Sequence, residues 1–261
     1  MAGLAACAGS AASTAPAPVT PMPGTDTAHS YPGFDIGHYP GDSAMQAWKH
    51  PASPYRWVGY YLNAPCRRDH SWDGHYTTLT TMGWGVAAIY VGQQDWSQIP
   101  GANAATLPTC SATLLTDGQG STEAADAANR MRTDGFPDQS IIFLDIEHVQ
   151  MVAPALLEYV RSWLGGILAD GHFRPGIYTD KANAPTFYTA ASDAYSAAGR
   201  SDAPPFWVSS SQGFTPNVTP SELGLSYAGI WQGAFNVSQT WNGVTLTIDV
   251  DVASTPSPGA P

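Results

Sequence analysis

Ile141-Ile142-Phe143-Leu144-Asp145-Ile146-Glu147 is the stretch on which the reading of this chain turns. Its apolar run, β-branched at the start, has the length and composition of a buried strand. Side chains alternate faces along a strand, so Asp145 and Glu147 project the same way, about 7 Å apart along the backbone. Two like charges held together at the end of a buried strand are costly unless they are used. Paired carboxylates are also the groups that cleave glycosidic bonds.

Further runs of the same kind flank this one. Strands are expected at Gly33–Gly37, Trp57–Asn63, Val86–Gly92, Gly176–Asp180, Phe206–Ser210, Gly229–Gln232 and Leu246–Val252, which makes eight with Ile141–Glu147. Helices are expected between most of them, near 43–50, 72–82, 121–133, 154–170 and 184–198. Pro154 suits a first helical turn and Gly171 a helix stop. Strand–helix alternation argues a parallel sheet, and eight strands argue a modified (β/α)8 TIM-like barrel, with irregular helices in the second half. A doubly wound open sheet is the structural alternative. Asn236–Gly243 reads as a hairpin turning on Asn242-Gly243.

Composition bounds the rest. Of 261 residues, 43% are hydrophobic and only 12% charged, and 10 basic against 21 acidic residues give a net charge of −11. A large core is available. Without a basic face, nucleic acid is not an expected partner. No apolar run reaches membrane-spanning length. Residues 1–30 and the tail 255–261 are rich in Ala, Pro, Ser and Thr and read as flexible, leaving 31–254 as the barrel. Leu4-Ala5-Ala6-Cys7 resembles a bacterial lipobox, in which Cys7 would carry lipid and the Pro/Ala-rich stretch would serve as a tether. The chain is then exported, held to the membrane only through that anchor, and expected to be a monomer. Export favours a Cys66–Cys110 disulfide over two free buried thiols.

Several acids fall at expected strand ends, where barrels of this kind carry their sites: Asp35, Asp145, Glu147, Asp180, Asp249 and Asp251. On the last strand Leu246, Ile248, Val250 and Val252 share one face and Thr247, Asp249 and Asp251 the other. The apolar face should meet helices and the acidic face the barrel interior. Closure of this strand on the first brings Asp249 to Asp35. Asp180 reads as a turn or cap residue.

Gly33-Phe34-Asp35-Ile36, Phe143-Leu144-Asp145-Ile146-Glu147, Gly176-Ile177-Tyr178-Thr179, Trp207-Val208, Ile230-Trp231-Gln232 and Ile248-Asp249-Val250 occur in the order seen in family-25 glycoside hydrolases, the N-acetylmuramidase lysozymes. The middle, Arg56–Leu62 and Gly83–Tyr90, looks closer to a sister group, the glycoside-hydrolase-like domain of unknown function. The resemblance covers nearly all of 31–254. It implies that Glu147 is a general acid, that Asp145 steers an acetamido group or stabilises the cationic centre, and that Asp35 and Asp249 support them. Crowding should keep one of these acids protonated, and Glu147 is the expected one. Tyr60, Tyr90, Tyr178, Trp207, Trp231, Gln232 and Asp251 are expected to line the sugar site, since sugars stack on aromatic faces.

The lysozyme pattern is not kept throughout. Gly233 follows Gln232 where Tyr is usual, Asp251 stands where Asn is usual, and Ser209-Ser210-Ser211 replaces an Ala-x-Tyr pattern. The acids remain while the sugar-binding wall changes. A glycosidase acting on an envelope polysaccharide, with peptidoglycan leading, therefore stands beside a non-catalytic glycan-binding barrel. Family-18 chitinases also end a strand in Asp-x-Glu, but Phe143 and Ser140 stand where those carry further acids. His38, Asp69, His70, His75 and His148 could ligate a metal; no His-Glu-x-x-His spacing occurs, and neither metal nor cofactor is expected.

Overall fold

The structure, a computed structural model, describes residues 30–96, 109–147 and 149–261. Cys7 and His148 lie outside the described residues. Eight strands form one closed barrel in chain order: β1 Tyr31–Asp35, β2 Trp57–Tyr61, β3 Gly85–Val91, β4 Ile141–Ile146, β5 Arg174–Asp180, β6 Phe206–Ser209, β7 Ala228–Trp241 and β8 Val244–Ala253. Five helices accompany them: α1 Asp42–Trp48, α2 Tyr76–Thr81, α3 Asp117–Thr133, α4 Pro154–Asp170 and α5 Ala184–Ala197. Between β6 and β7 there is only a short 3-10 turn, Pro220–Leu223, and β7 passes to β8 without a helix. This is a modified (β/α)8 barrel with an irregular second half.

Period-two alternation separates two cores. Ile142, Leu144 and Ile146 of β4 face the helices, as do Val58, Tyr60, Ile248, Val250 and Val252. Ile141, Phe143, Trp57, Ala87, Ile89, Tyr178, Trp207 and Ile230 fill the interior. Two indoles dominate that interior, Trp57 and Trp207, with ring centroids 5.3 Å apart. Glycine makes room for them: a Cβ on Gly33 would lie 2.1 Å from Trp57, and one on Gly59 would lie 2.6 Å from Asp35 Cβ. The helix α4 keeps its expected limits. Pro154 stands in its first turn, and Gly171 ends it in the left-handed region at φ 75°.

The expectation of a parallel sheet is corrected, and that of an Asn-Gly hairpin is met. The sheet is not wholly parallel: β8 runs antiparallel to both β7 and β1. The hairpin expected at Asn236–Gly243 is the tip of one long β7–β8 ribbon. Its turn residues Asn242 and Gly243 have φ of 46° and 79°, the primed-turn geometry that Asn-Gly favours. The ribbon folds back outside the barrel, where Trp48 Nε1 donates to Val244 O at 3.0 Å and Tyr55 Oη to Gln239 Oε1 at 2.9 Å.

The tail 255–261, expected to be loose, lies across the start of β3 and β4. Ile141 N donates to Gly259 O at 2.9 Å. A Cβ on Gly259 would stand 2.3 Å from Val86 O, and one on Gly85 would stand 2.1 Å from Pro256 O. A Pro- and Ser-rich composition hid this, because the contacts are backbone to backbone. Among the described residues no helix is long and apolar enough to cross a membrane. Replacing Gly259 by Val should cost about 1–3 kcal/mol through overpacking, read as a lower urea midpoint; an unchanged midpoint would mean that the tail is not docked in solution.

Candidate functional site

The C-terminal mouth of the barrel gathers the acids. Asp35 ends β1 and pairs in register with Asp249 of β8, while Asp251 pairs with Gly33 one step deeper. Across the mouth, Asp145 of β4 is in register with Tyr178 of β5. Asp35 is 3% exposed, Asp145 4% and Asp251 fully buried, whereas Glu147 is half-buried.

One chain of hydrogen bonds crosses the mouth. Tyr61 Oη donates to Asp35 Oδ1 at 2.6 Å, and Gln232 Nε2 donates to Asp35 Oδ2 at 2.6 Å. Tyr178 Oη lies 2.5 Å from Gln232 Oε1 and 2.8 Å from Glu147 Oε1. Glu147 and Asp35 are thus the two ends of a relay through Tyr178 and Gln232. Asp145 stands beside the relay, and its buried Oδ1 has no hydrogen-bond partner. Such an acceptor, held out of water, suits a ligand N–H or O–H.

Burial sets the protonation of the aspartates. Asp35 is pushed up to about 7 by burial first and then by Asp249, against the bonds from Tyr61 and Gln232. Asp145 is raised well above the carboxylate range by burial, then by Glu147 and Asp35, with Arg67 opposing. Asp251 is raised likewise by burial and by Asp35, against its bond from Trp207. Low dielectric disfavours each charge, and each charge disfavours the next.

The end of β4 is fixed from the segment that follows β3. Gln94 Nε2 donates to Asp145 O at 2.8 Å, and Glu147 N donates to Gln94 Oε1 at 2.9 Å. Gln94 thereby grips the backbone on both sides of Ile146. Its neighbour Gln93 donates to Glu123 Oε1 of α3 at 2.6 Å, and Tyr159 of α4 donates to the other oxygen of Glu123. Two helices therefore position the loop that positions the acids.

The expected sugar wall is only partly here. Tyr178 and Gln232 stand in the relay. Trp207 is fully buried beneath Tyr178, with ring centroids 5.5 Å apart, and its Nε1 donates to Asp251 Oδ1 at 3.1 Å. Asp251 and Trp207 therefore form the floor and not a contact surface. Tyr60, Tyr90 and Trp231 face away. Tyr60 Oη donates to Asp134 at 2.9 Å, Tyr90 Oη to Asp126 at 3.0 Å, and Trp231 Nε1 to Ser210 O at 2.7 Å. Each sits one residue out of phase with an inward position on its strand. Asp180 ends β5, and its side chain caps the turn that follows, accepting from Ala182 N at 2.8 Å.

Sequence reasoning missed Gln94 and Arg67, and counted Tyr61 among the strand-end aromatics without selecting it for the site. Tyr61 shares the face of Trp57 and Gly59, and that alternation was available; Gln94 and Arg67 sit on loops with no periodic signal. Cys66 and Cys110 form a disulfide with Cα atoms 4.8 Å apart, closing the base of the Arg67 loop onto the segment after β3. Among the described residues no cluster of His, Cys, Asp and Glu has metal-holding geometry.

A closed barrel with buried acids at its C-terminal mouth is the architecture of glycoside-hydrolase-like proteins. The chain belongs to the Rv2525c-like, glycoside hydrolase-like domain family, which matches residues 46–253. Three solved structures share the fold. The spore cortex lytic enzyme SleM of Clostridium perfringens is 13% identical, with a TM-score of 0.56 over 87% of this chain and 68% of that one. The Tat-secreted protein Rv2525c of Mycobacterium tuberculosis, solved with L-tartrate, is 18% identical, with a TM-score of 0.55 over 87% and 97%. A family GH25 lysozyme from Aspergillus fumigatus is 15% identical, with a TM-score of 0.51 over 89% and 100%. No curated protein matches the chain at the sequence level.

An acid raised by folding keeps a proton that the unfolded chain releases, so stability falls as pH rises from the unfolded toward the folded value. For Asp35 that window runs from about 3.8 to about 7; for Asp145 it extends upward from the same start. Asp145→Asn should raise the melting temperature at pH 8 by roughly 3–6 °C, equivalent to about 1–2 kcal/mol, and leave it nearly unchanged at pH 3. Equal shifts at both pH values would contradict a charge origin.

Proposed function

We propose that this protein is an exported glycoside hydrolase of a cell-envelope polysaccharide, with peptidoglycan the leading substrate. The observation that carries this reading is the adjacency of Asp145 and Glu147 at the mouth, with Glu147 wired through Tyr178 and Gln232 to Asp35. Glu147 acts as the general acid toward the leaving glycosidic oxygen. The Tyr178 phenol has one proton and faces two acceptors. Through that phenol Glu147 Oε1 is linked to Gln232 Oε1 and so to Asp35.

Asp145 receives an N–H of the substrate on its unpartnered Oδ1. A donor there favours the ionised form, so substrate binding releases the Asp145 proton to solvent and leaves the negative charge that an oxocarbenium-like centre needs. Asp35, at the far end of the relay, and Asp249, level with it on β8, set the electrostatics of the relay. The spore cortex lytic enzyme SleM, the family GH25 lysozyme and the Tat-secreted Rv2525c, which share the fold, support the same reading. Cys7 would supply a lipid anchor, with the following Pro/Ala-rich stretch as its tether.

A second reading, a barrel that binds envelope glycan without cleaving it, draws on the turning of Tyr60, Tyr90 and Trp231 away from the mouth. Purified peptidoglycan separates the two. The wild type should release soluble muropeptides, and Glu147→Gln should lower the rate about a hundredfold or more, as loss of a general acid does, with binding retained. Binding without release by the wild type would favour the second reading. Equal release by both proteins would remove Glu147 from the chemistry.

A further inference from the structure

The mouth contains one group that the hydrolytic reading does not use. Arg67 follows β2 on a short loop closed by a backbone bridge to Ala64, with N–O distances of 2.9 and 3.0 Å, and by the disulfide at Cys66. Its guanidinium lies over the Tyr61 ring, with Cζ 4.3 Å from the centroid. The hydroxyl of that same ring is bonded to Asp35. Gly37 leaves it space, since a Cβ there would stand 3.0 Å from a terminal nitrogen of Arg67. The side chain is 25% exposed.

What it lacks is a carboxylate partner at hydrogen-bond distance. Among the described residues the nearest ion pair is to Asp69 at 3.8 Å, beyond a hydrogen bond, and Arg67 Nε has no acceptor at all. Asp69 is already engaged by Ser71 N at 2.6 Å and His38 Nδ1 at 3.0 Å. The guanidinium is thus held in place by stacking and by its loop, with its donors unspent. A planar fork of this kind takes a carboxylate in two parallel bonds. Across the mouth Asp145 Oδ1 is an unspent acceptor.

We infer that Arg67 forms a carboxylate-binding subsite, so that the glycan engaged here carries an acidic substituent on a sugar beside the one whose N–H or O–H meets Asp145. This rests on the glycan reading of the site and names the chemical class of the sugar. An arginine that served only to offset Asp145 would influence neutral and acidic ligands alike. A carboxylate receptor discriminates between them.

The test compares two matched ligand pairs by calorimetry on the whole protein. The disaccharide of N-acetylglucosamine and N-acetylmuramic acid is set against di-N-acetylchitobiose, and methyl β-D-glucuronide against methyl β-D-glucoside. The wild type should prefer the acidic member of at least one pair by roughly tenfold or more, the range of a charge-assisted bond. Arg67→Gln should bring that preference to within about twofold by weakening the acidic member more than the neutral one, and Arg67→Lys should retain part of it. Thermal melts confirm that each variant is folded. A preference that survives Arg67→Gln, or no preference in either pair, overturns the subsite. Cleavage is scored separately with peptidoglycan: discrimination without cleavage keeps the subsite and removes the hydrolase, and cleavage without discrimination does the reverse.

Discussion

Asp35, Asp145 and Asp251 share one end of one barrel, out of water and within reach of each other's charge. Each is raised first by burial and then by a neighbouring acid. An arrangement of that kind is unfavourable for stability at neutral pH, so the surrounding structure must hold it together. Tyr61 and Gln232 donate to Asp35, Trp207 donates to Asp251, and Gln94 ties down the backbone beside Asp145. The dense interior of Trp57, Phe143 and Trp207 below them leaves the acids no room to move apart.

The antiparallel β8 is what brings this about. A parallel eighth strand would offer the mouth only its last residues. Reversal places the middle of β8 there, so Asp249 lies level with Asp35 and Asp251 sits one step below, against Trp207. The same reversal removes the helix that would follow β7, and the ribbon packs beside Trp48 and Tyr55 in its stead. The irregular second half of the barrel and the acidity of its mouth thus have one topological cause.

Much of this was legible in the chain. Eight apolar runs gave the barrel, Pro154 and Gly171 bounded α4, and the alternation from Leu246 to Val252 put Asp249 and Asp251 inside. Strand direction was not legible, because alternation reads the same both ways; only the missing helix before β8 hinted at it. Facing failed where both phases of a strand are apolar. In β3, Tyr90 belongs with Val86 and Ala88, yet Ala87 and Ile89 are just as apolar. In β2, Tyr60 shares its phase with Val58 and Leu62, a signal that marks it as outward and leaves Tyr61 for the mouth. Gln94 and Arg67 act from loops, where position depends on a disulfide and on helices distant in sequence. The docked tail was hidden for a related reason, since backbone contacts leave no trace in composition.

The central claim is that folding holds protons on acids in this mouth at pH values where free carboxyls have lost them. A carbon-13 NMR titration of the side-chain carboxyls of the wild type, with single-residue assignments for Asp35 and Asp145, measures this directly. Asp35 should titrate near 7, and Asp145 should stay protonated well above the ordinary range. Both carboxyls ionised by pH 5 in the folded protein would contradict the claim.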